Sequence, residues 1–244
     1  MRLNRTMIDA LRAAFAAHAD PTRAMAMQAY MKSALPFYGI PAPLRRKLTM
    51  AAATAQPASD TAALAGAMRT LWRKARFREE RYAAIELPRS GRVHRKLVNL
   101  ELLPVLTEMI SSGAWWDFCD DISGNTLATL LAHHPRQMKP LLRRWAQGDD
   151  LWLRRAAMLC QRGLGPEVFD AKLLYDTILP SIGQGKFADQ FFIRKGIGWA
   201  LRERSYAAPE EVAAFCHAYA SQLSPLTRRE AMKVIERRAA TGGD

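Results

Sequence analysis

Apolar residues recur every three or four positions along almost the whole chain, and that period predicts helices. In "MIDALRAAFAAHA" the spacing is clear, and good helix formers (Ala, Leu, Met, Arg) dominate it. The same period predicts helices over 61–75, 97–111, 115–131, 137–146, 151–161, 168–179, 188–203, 210–222 and 227–239. No stretch alternates β-branched and polar residues between hairpin turns, so strands are not expected. Most prolines fall at or near the inferred starts and stops, where a residue without an N–H costs least. "SSG" before Trp115, "QGDD" before Leu151 and "LSP" before Leu226 read as N-terminal caps.

The helices of the second half come in pairs: 115–131 with 137–146, 151–161 with 168–179, and 188–203 with 210–222. Pair starts at 115, 151 and 188 are spaced by 36 and 37 residues. That is close to the period of stacked helical hairpins, in which each pair buries its apolar stripe against its neighbours. An irregular helical bundle is the competing architecture. No linker or low-complexity segment splits the chain, so one curved domain over 1–244 is expected.

Composition changes this picture in one respect. Of 244 residues, 49% are hydrophobic and 24% charged, which is ordinary for a globular chain with a sizeable core. The charge balance is not: 36 Lys+Arg oppose 23 Asp+Glu, a formal +13, with a pI near 10.2. Such a surplus favours anionic partners, nucleic acid first and an anionic membrane surface second. Charge alone reads phosphates and says nothing of base sequence. Cys119, Cys160 and Cys216 lie far apart without a CxxC pair, which argues for reduced thiols and a cytoplasmic protein. The five histidines show no metal-ligand spacing with them, so neither a metal nor a cofactor is expected. The amphipathic N-terminus carries Asp9 and lacks the apolar core of a signal peptide, and no apolar run reaches the roughly 20 residues of a membrane span.

Candidate chemistry gathers on three pair-opening helices. In "AWWDFCD", Trp116 and Asp120 stand at i and i+4, on one face. An apolar stripe through Trp115, Cys119 and Ile122 lies about 100° away, so the pair faces something other than that stripe. A tryptophan packed at a repeat junction beside a solvated aspartate is the other reading of the same spacing. In "DLWLRRAAMLCQR", Leu151, Trp152, Ala156 and Leu159 form an inward stripe with Arg155 beside it. "FFIRKGIGWALRER" sets Lys195, Trp199 and Arg202 at i, i+4 and i+7, an indole between two cations that suits phosphate and sugar. Long basic side chains lying over a core indole would have the same spacing. Gly196 and Gly198 inside this helix imply close approach of a neighbouring helix or a ligand. If the repeats stack, Trp116, Asp120, Arg155, Lys195 and Trp199 converge on one basic wall.

These stretches, with "YMKSALPFYGIPAPLRRKL", "RFREERYAAIEL" and "LSPLTRREAMKVI", resemble in order and context the signature blocks of the AlkD-type alkylpurine DNA glycosylases. The likeness covers roughly 29–238. It implies an all-α fold, a right-handed superhelical solenoid of HEAT-like helical-hairpin repeats. It further implies excision of cationic N3- and N7-alkylated purines, among them 3-methyladenine and 7-methylguanine, from double-stranded DNA, with the lesion left stacked rather than flipped. By that resemblance the catalytic aspartate is Asp120, the groove tryptophans are Trp116 and Trp199, and the DNA-binding arginine is Arg155. Arg154, Lys195, Arg202 and Trp115, which neighbour these four, are the expected further contacts to DNA. The segment between Arg155 and Trp199 is longer than the family norm, through "RGLGPEVFDAK" and "SIGQGKFADQ". A monomeric, monofunctional glycosylase is expected. A non-catalytic repeat protein binding damaged or branched DNA is the runner-up, and a protein-interaction scaffold would leave the +13 charge unexplained.

Overall fold

A computed structural model of the chain describes residues 2–241. Among the described residues all regular structure is helical, in two compact units, Met1–Met109 and Ile110–Asp244.

The first unit holds α1 (Arg2–Ala17), α2 (Pro21–Met31), α3 (Ala42–Ala55), α4 (Thr61–Arg73), α5 (Arg78–Glu86), α6 (Gly91–Lys96) and most of α7 (Leu103–Gly113). Helices α2, α3, α5 and α6 lie outside the stretches with a clear helical period, and α5 shows why. Its sequence "REERYAAIE" buries charges: Glu79 and Glu80 are 0% exposed and Glu86 is 2%. Each carboxylate has its partners, as burial of a charge requires. Glu79 accepts the backbone N–H groups of Tyr38, Gly39 and Ile40 at 3.0, 2.9 and 3.2 Å. Glu80 pairs with Arg12 at 2.8 Å and Glu86 with Arg45 at 2.7 Å. Gly39 sits at φ +85°, and a Cβ there would meet the Asp20 carbonyl oxygen at 2.2 Å, so the loop before α3 needs glycine.

The second unit opens with α8 (Trp116–Ile122), which continues through a π-helical turn (Ser123–Leu127) into α9 (Ala128–His133). Then come α10 (Pro135–Gln147), α11 (Leu151–Leu159), α12 (Ala171–Ile178), α13 (Phe191–Ser205), α14 (Pro209–Ala218) and α15 (Pro225–Ala240). The expected pairs are present as hairpins: α9 packs on α10, α11 on α12 and α13 on α14. The pair-opening helices then stack in order, α8 on α11 and α11 on α13, and α15 packs on α13. The core of α11 through α15 includes Leu159, Leu174, Ile178, Ile193, Ile197 and Val212.

Two of the three caps stand as read. Asp150 accepts the N–H groups of Trp152 and Leu153 at 2.8 and 3.0 Å, and Ser224 accepts that of Thr227 at 3.1 Å. "SSG" does not cap: it ends α7, and Trp115 itself precedes α8 in extended conformation after Ala114 at φ +42°. Cys119, Cys160 and Cys216 are buried and free. No helix among the described residues is long and apolar enough to cross a membrane.

The positive charge is unevenly shared. The first unit carries 18 Lys+Arg against 8 Asp+Glu and the second 18 against 15, so most of the surplus belongs to the first unit.

Candidate functional site

Asp120 occupies the last turn of α8, and it is 7% exposed rather than solvated. Its partner comes from the next stacked helix. Arg155 of α11 donates from Nε to Oδ1 at 2.8 Å and from Nη2 to Oδ2 at 2.9 Å. This two-pronged fit fixes both the position and the plane of the carboxylate. Arg155, 3% exposed, also donates from Nη1 to the Phe192 carbonyl oxygen at the start of α13. One guanidinium therefore ties together all three pair-opening helices. Gly196 makes room for it: a Cβ there would lie 2.9 Å from Nη1. The close approach inferred from Gly196 is thus an arginine of the neighbouring helix. At Gly198 it is α15, whose Glu230 Cβ would stand 2.6 Å from an added Cβ.

Trp116 lies half-buried one turn before Asp120 on α8. Trp115 is half-buried too, its ring edge-on to Phe192 with centroids 5.5 Å apart. Trp152 meets the same Phe192 ring at 5.1 Å. Trp199 packs partly against the core, and its Nε1–H donates to Glu203 Oε1 at 3.0 Å.

The two cations that flank Trp199 along its helix do not attend it. Lys195 pairs with Glu230 of α15 at 2.6 Å, and Arg202 pairs with the other oxygen of the same carboxylate. The cation on the indole is Arg162, from the turn after α11, whose Cζ stands 3.7 Å from the ring centroid. Burial pulls this guanidinium below its ordinary pKa, and the negative charges of Asp120 and Glu203 pull it back up. Arg162 reaches the site over Gly124, where a Cβ would lie 2.7 Å from its Nη2. Gly124 belongs to the π-turn that follows Asp120, a distortion of the kind that recurs at functional sites.

Arg154 has a different place. It is 3% exposed, and its donors go to the carbonyl oxygens of Gln147, Gly148, Pro180 and Lys186 and to Ser181 Oγ, at 2.7–3.3 Å. It braces the end of α10 against the loop before α13. The sequence reading missed Arg162, Glu203 and Gly124. Their spacing held a signal, since Glu203 and Gly124 follow Trp199 and Asp120 by four residues and Arg162 follows Arg155 by seven. Among the described residues no cluster of His, Cys, Asp and Glu could hold a metal ion.

Stacked helical hairpins, a strongly basic chain and a buried carboxylate–guanidinium pair on the same stack as two half-buried indoles define a repeat protein equipped to act on nucleic acid. The chain belongs to the DNA alkylation repair enzyme family, whose model matches residues 11–235. A predicted DNA alkylation repair enzyme from Enterococcus faecalis has a similar structure, with a TM-score of 0.73 and 28% identity over 88% of this chain and 95% of that one. No curated protein matches the chain. Its role is therefore in DNA repair.

Proposed function

We propose that this chain is a DNA glycosylase that hydrolyses the N-glycosidic bond of cationic N3- and N7-alkylated purines in duplex DNA. The observation that carries the reading is the buried Asp120 held by both oxygens against Arg155. The pair fixes one carboxylate on the same stack of helices as Trp116 and Trp199, which is what a single-carboxylate mechanism needs.

The chemistry needs one carboxylate. Glycoside hydrolysis passes through an oxocarbenium-like sugar, and most glycosidases use one carboxyl to protonate the leaving group and another to support the cation. A purine alkylated at N3 or N7 already carries positive charge. When its bond from N9 to C1′ breaks, the electron pair neutralises the ring and the base leaves without being protonated. Water then adds to C1′ and releases one proton. Asp120 stabilises the developing sugar cation and takes up or directs that proton. Arg155 acts through Asp120, fixing the carboxylate so that it does not turn away as charge develops. Trp116 and Trp199 pack against the deoxyribose, and the lesion stays in the stack. Because no pocket has to receive the base, bulky adducts are tolerated.

The test is release of free base from a duplex carrying a single 7-methylguanine, with Asp120→Asn in parallel. The variant keeps size and removes charge, so it should bind duplex as well as the wild type and excise at least a hundredfold more slowly. Equal rates would remove Asp120 from the chemistry. Tight duplex binding with no release by the wild type would make the chain a DNA-binding member of the family.

A further inference from the structure

The Trp199 plate is held by two polar groups, and one of them has no evident structural use. Glu203 takes the indole N–H at 3.0 Å and so sets the rotation of the ring. The Arg162 guanidinium lies flat enough to bring its central carbon 3.7 Å from the ring centroid, the arrangement in which a cation is held by an indole face. Arg162 and Glu203 both line a cavity of about 230 Å³ that opens beside them. The Arg162 Nη1, fully buried, has no hydrogen-bond partner among the described residues. An arginine kept for stability spends its donors, as Arg154 does; one that leaves a buried N–H unused is a cost to the fold. Access to the ring also depends on Gly124, since any side chain there would collide with the guanidinium.

We propose that Arg162 is a positioning residue for base excision: its guanidinium backs one face of the Trp199 indole, so that only the opposite face meets the deoxyribose. This rests on the glycosylase reading above. Arg162 touches neither sugar nor base. It acts through Trp199, holding the ring plane at the distance and angle at which the sugar is pressed toward Asp120.

The experiment places Arg162→Gln and Arg162→Lys in the wild type and in Trp199→Phe. Single-turnover base release at saturating protein is measured from the 7-methylguanine duplex, together with duplex affinity. Arg162→Gln should slow release roughly tenfold to a hundredfold, as misplacement of a positioning group does, with duplex affinity changed less than about twofold. In the Trp199→Phe background it should cost far less, because the indole whose N–H Glu203 anchors and whose face Arg162 backs is gone. Arg162→Lys, which keeps the charge but not the plane, carries the same comparison if the glutamine variant does not fold. Equal losses in both backgrounds would overturn the proposal. So would an unchanged rate at saturation with weaker, less salt-dependent duplex binding, which would make Arg162 a phosphate contact.

A second readout needs no catalysis. With 5-fluorotryptophan incorporated, the Trp199 ¹⁹F resonance is assigned by its loss in Trp199→Phe. It should shift in Arg162→Gln while the others hold, and an unmoved resonance overturns the clamp. If the wild type releases no base, the glycosylase reading fails, and this resonance still decides whether Arg162 holds the ring.

Discussion

Replacing Arg155 by methionine leaves Asp120 buried without its hydrogen-bonded counter-charge, and the structure allows the cost to be worked out. The two side chains are 3% and 10% exposed, so solvent screening is slight. Breaking such a pair by removing one partner costs about 3–5 kcal/mol. The Phe192 carbonyl loses its donor as well, which adds about 1 kcal/mol. A total near 5 kcal/mol corresponds to a fall in Tm of roughly 10–20 °C for a cooperative unit of this size. The double variant Asp120→Leu/Arg155→Met puts apolar groups of similar volume in place of the pair. It should recover most of that loss, since apolar replacements of buried ion pairs are often neutral or stabilising. Urea and thermal unfolding followed by circular dichroism give the three stabilities, and base release gives the activities. The expected result is a double variant near wild-type stability with no excision. That outcome would establish that the pair is retained for chemistry and not for the fold. The reasoning is refuted if Arg155→Met costs under about 1 kcal/mol, or if the double variant is no more stable than the single one.

Other consequences follow from particular contacts. Gly198→Ala should destabilise by up to about 2 kcal/mol in urea unfolding. The Cβ would stand 2.6 Å from Glu230 Cβ and 3.0 Å from the Thr227 carbonyl oxygen, so overpacking of about 1–3 kcal/mol is set against the roughly 1 kcal/mol gained in helix propensity; a more stable variant would show that α15 yields. His94 supplies a pH dependence in the first unit. It is fully buried, its Nε2 accepts the Ala58 N–H at 2.9 Å, its Nδ1 faces the Leu87 carbonyl oxygen at 3.0 Å, and burial lowers its pKa below 6.5. The unfolded chain therefore takes up a proton at a higher pH than the native one, so this contribution is complete above about pH 6.5 and is lost as pH falls through the native value. The difference between urea midpoints at pH 7.5 and 5.5 should shrink in His94→Gln; an equal difference would assign the pH dependence to other groups.

Much of the second unit was legible because helical periodicity reports which face of a helix is apolar. The pair starts at 115, 151 and 188 were readable, and the helices they open do stack as α8, α11 and α13. The i, i+4 relation of Trp116 and Asp120 was readable for the same reason. Helices α2, α3, α5 and α6 were not, and in α5 the buried residues include three carboxylates whose partners lie some 40 residues or more away, as Glu79 does with Tyr38 and Glu80 with Arg12.

Tertiary structure alone decided which charge meets which. Spacing along α13 put Lys195 and Arg202 beside Trp199, yet Glu230 of α15 gathers both, and Arg162 from the turn after α11 takes the indole face. Arg155 read as a basic residue on a wall, but its fork is turned onto Asp120, one stacked helix away. The physical reason is the same in each case. The sequence by itself determines the face a side chain occupies through the geometry of its own helix. The register between helices, fixed by contacts such as those over Gly196 and Gly198, determines what that face meets.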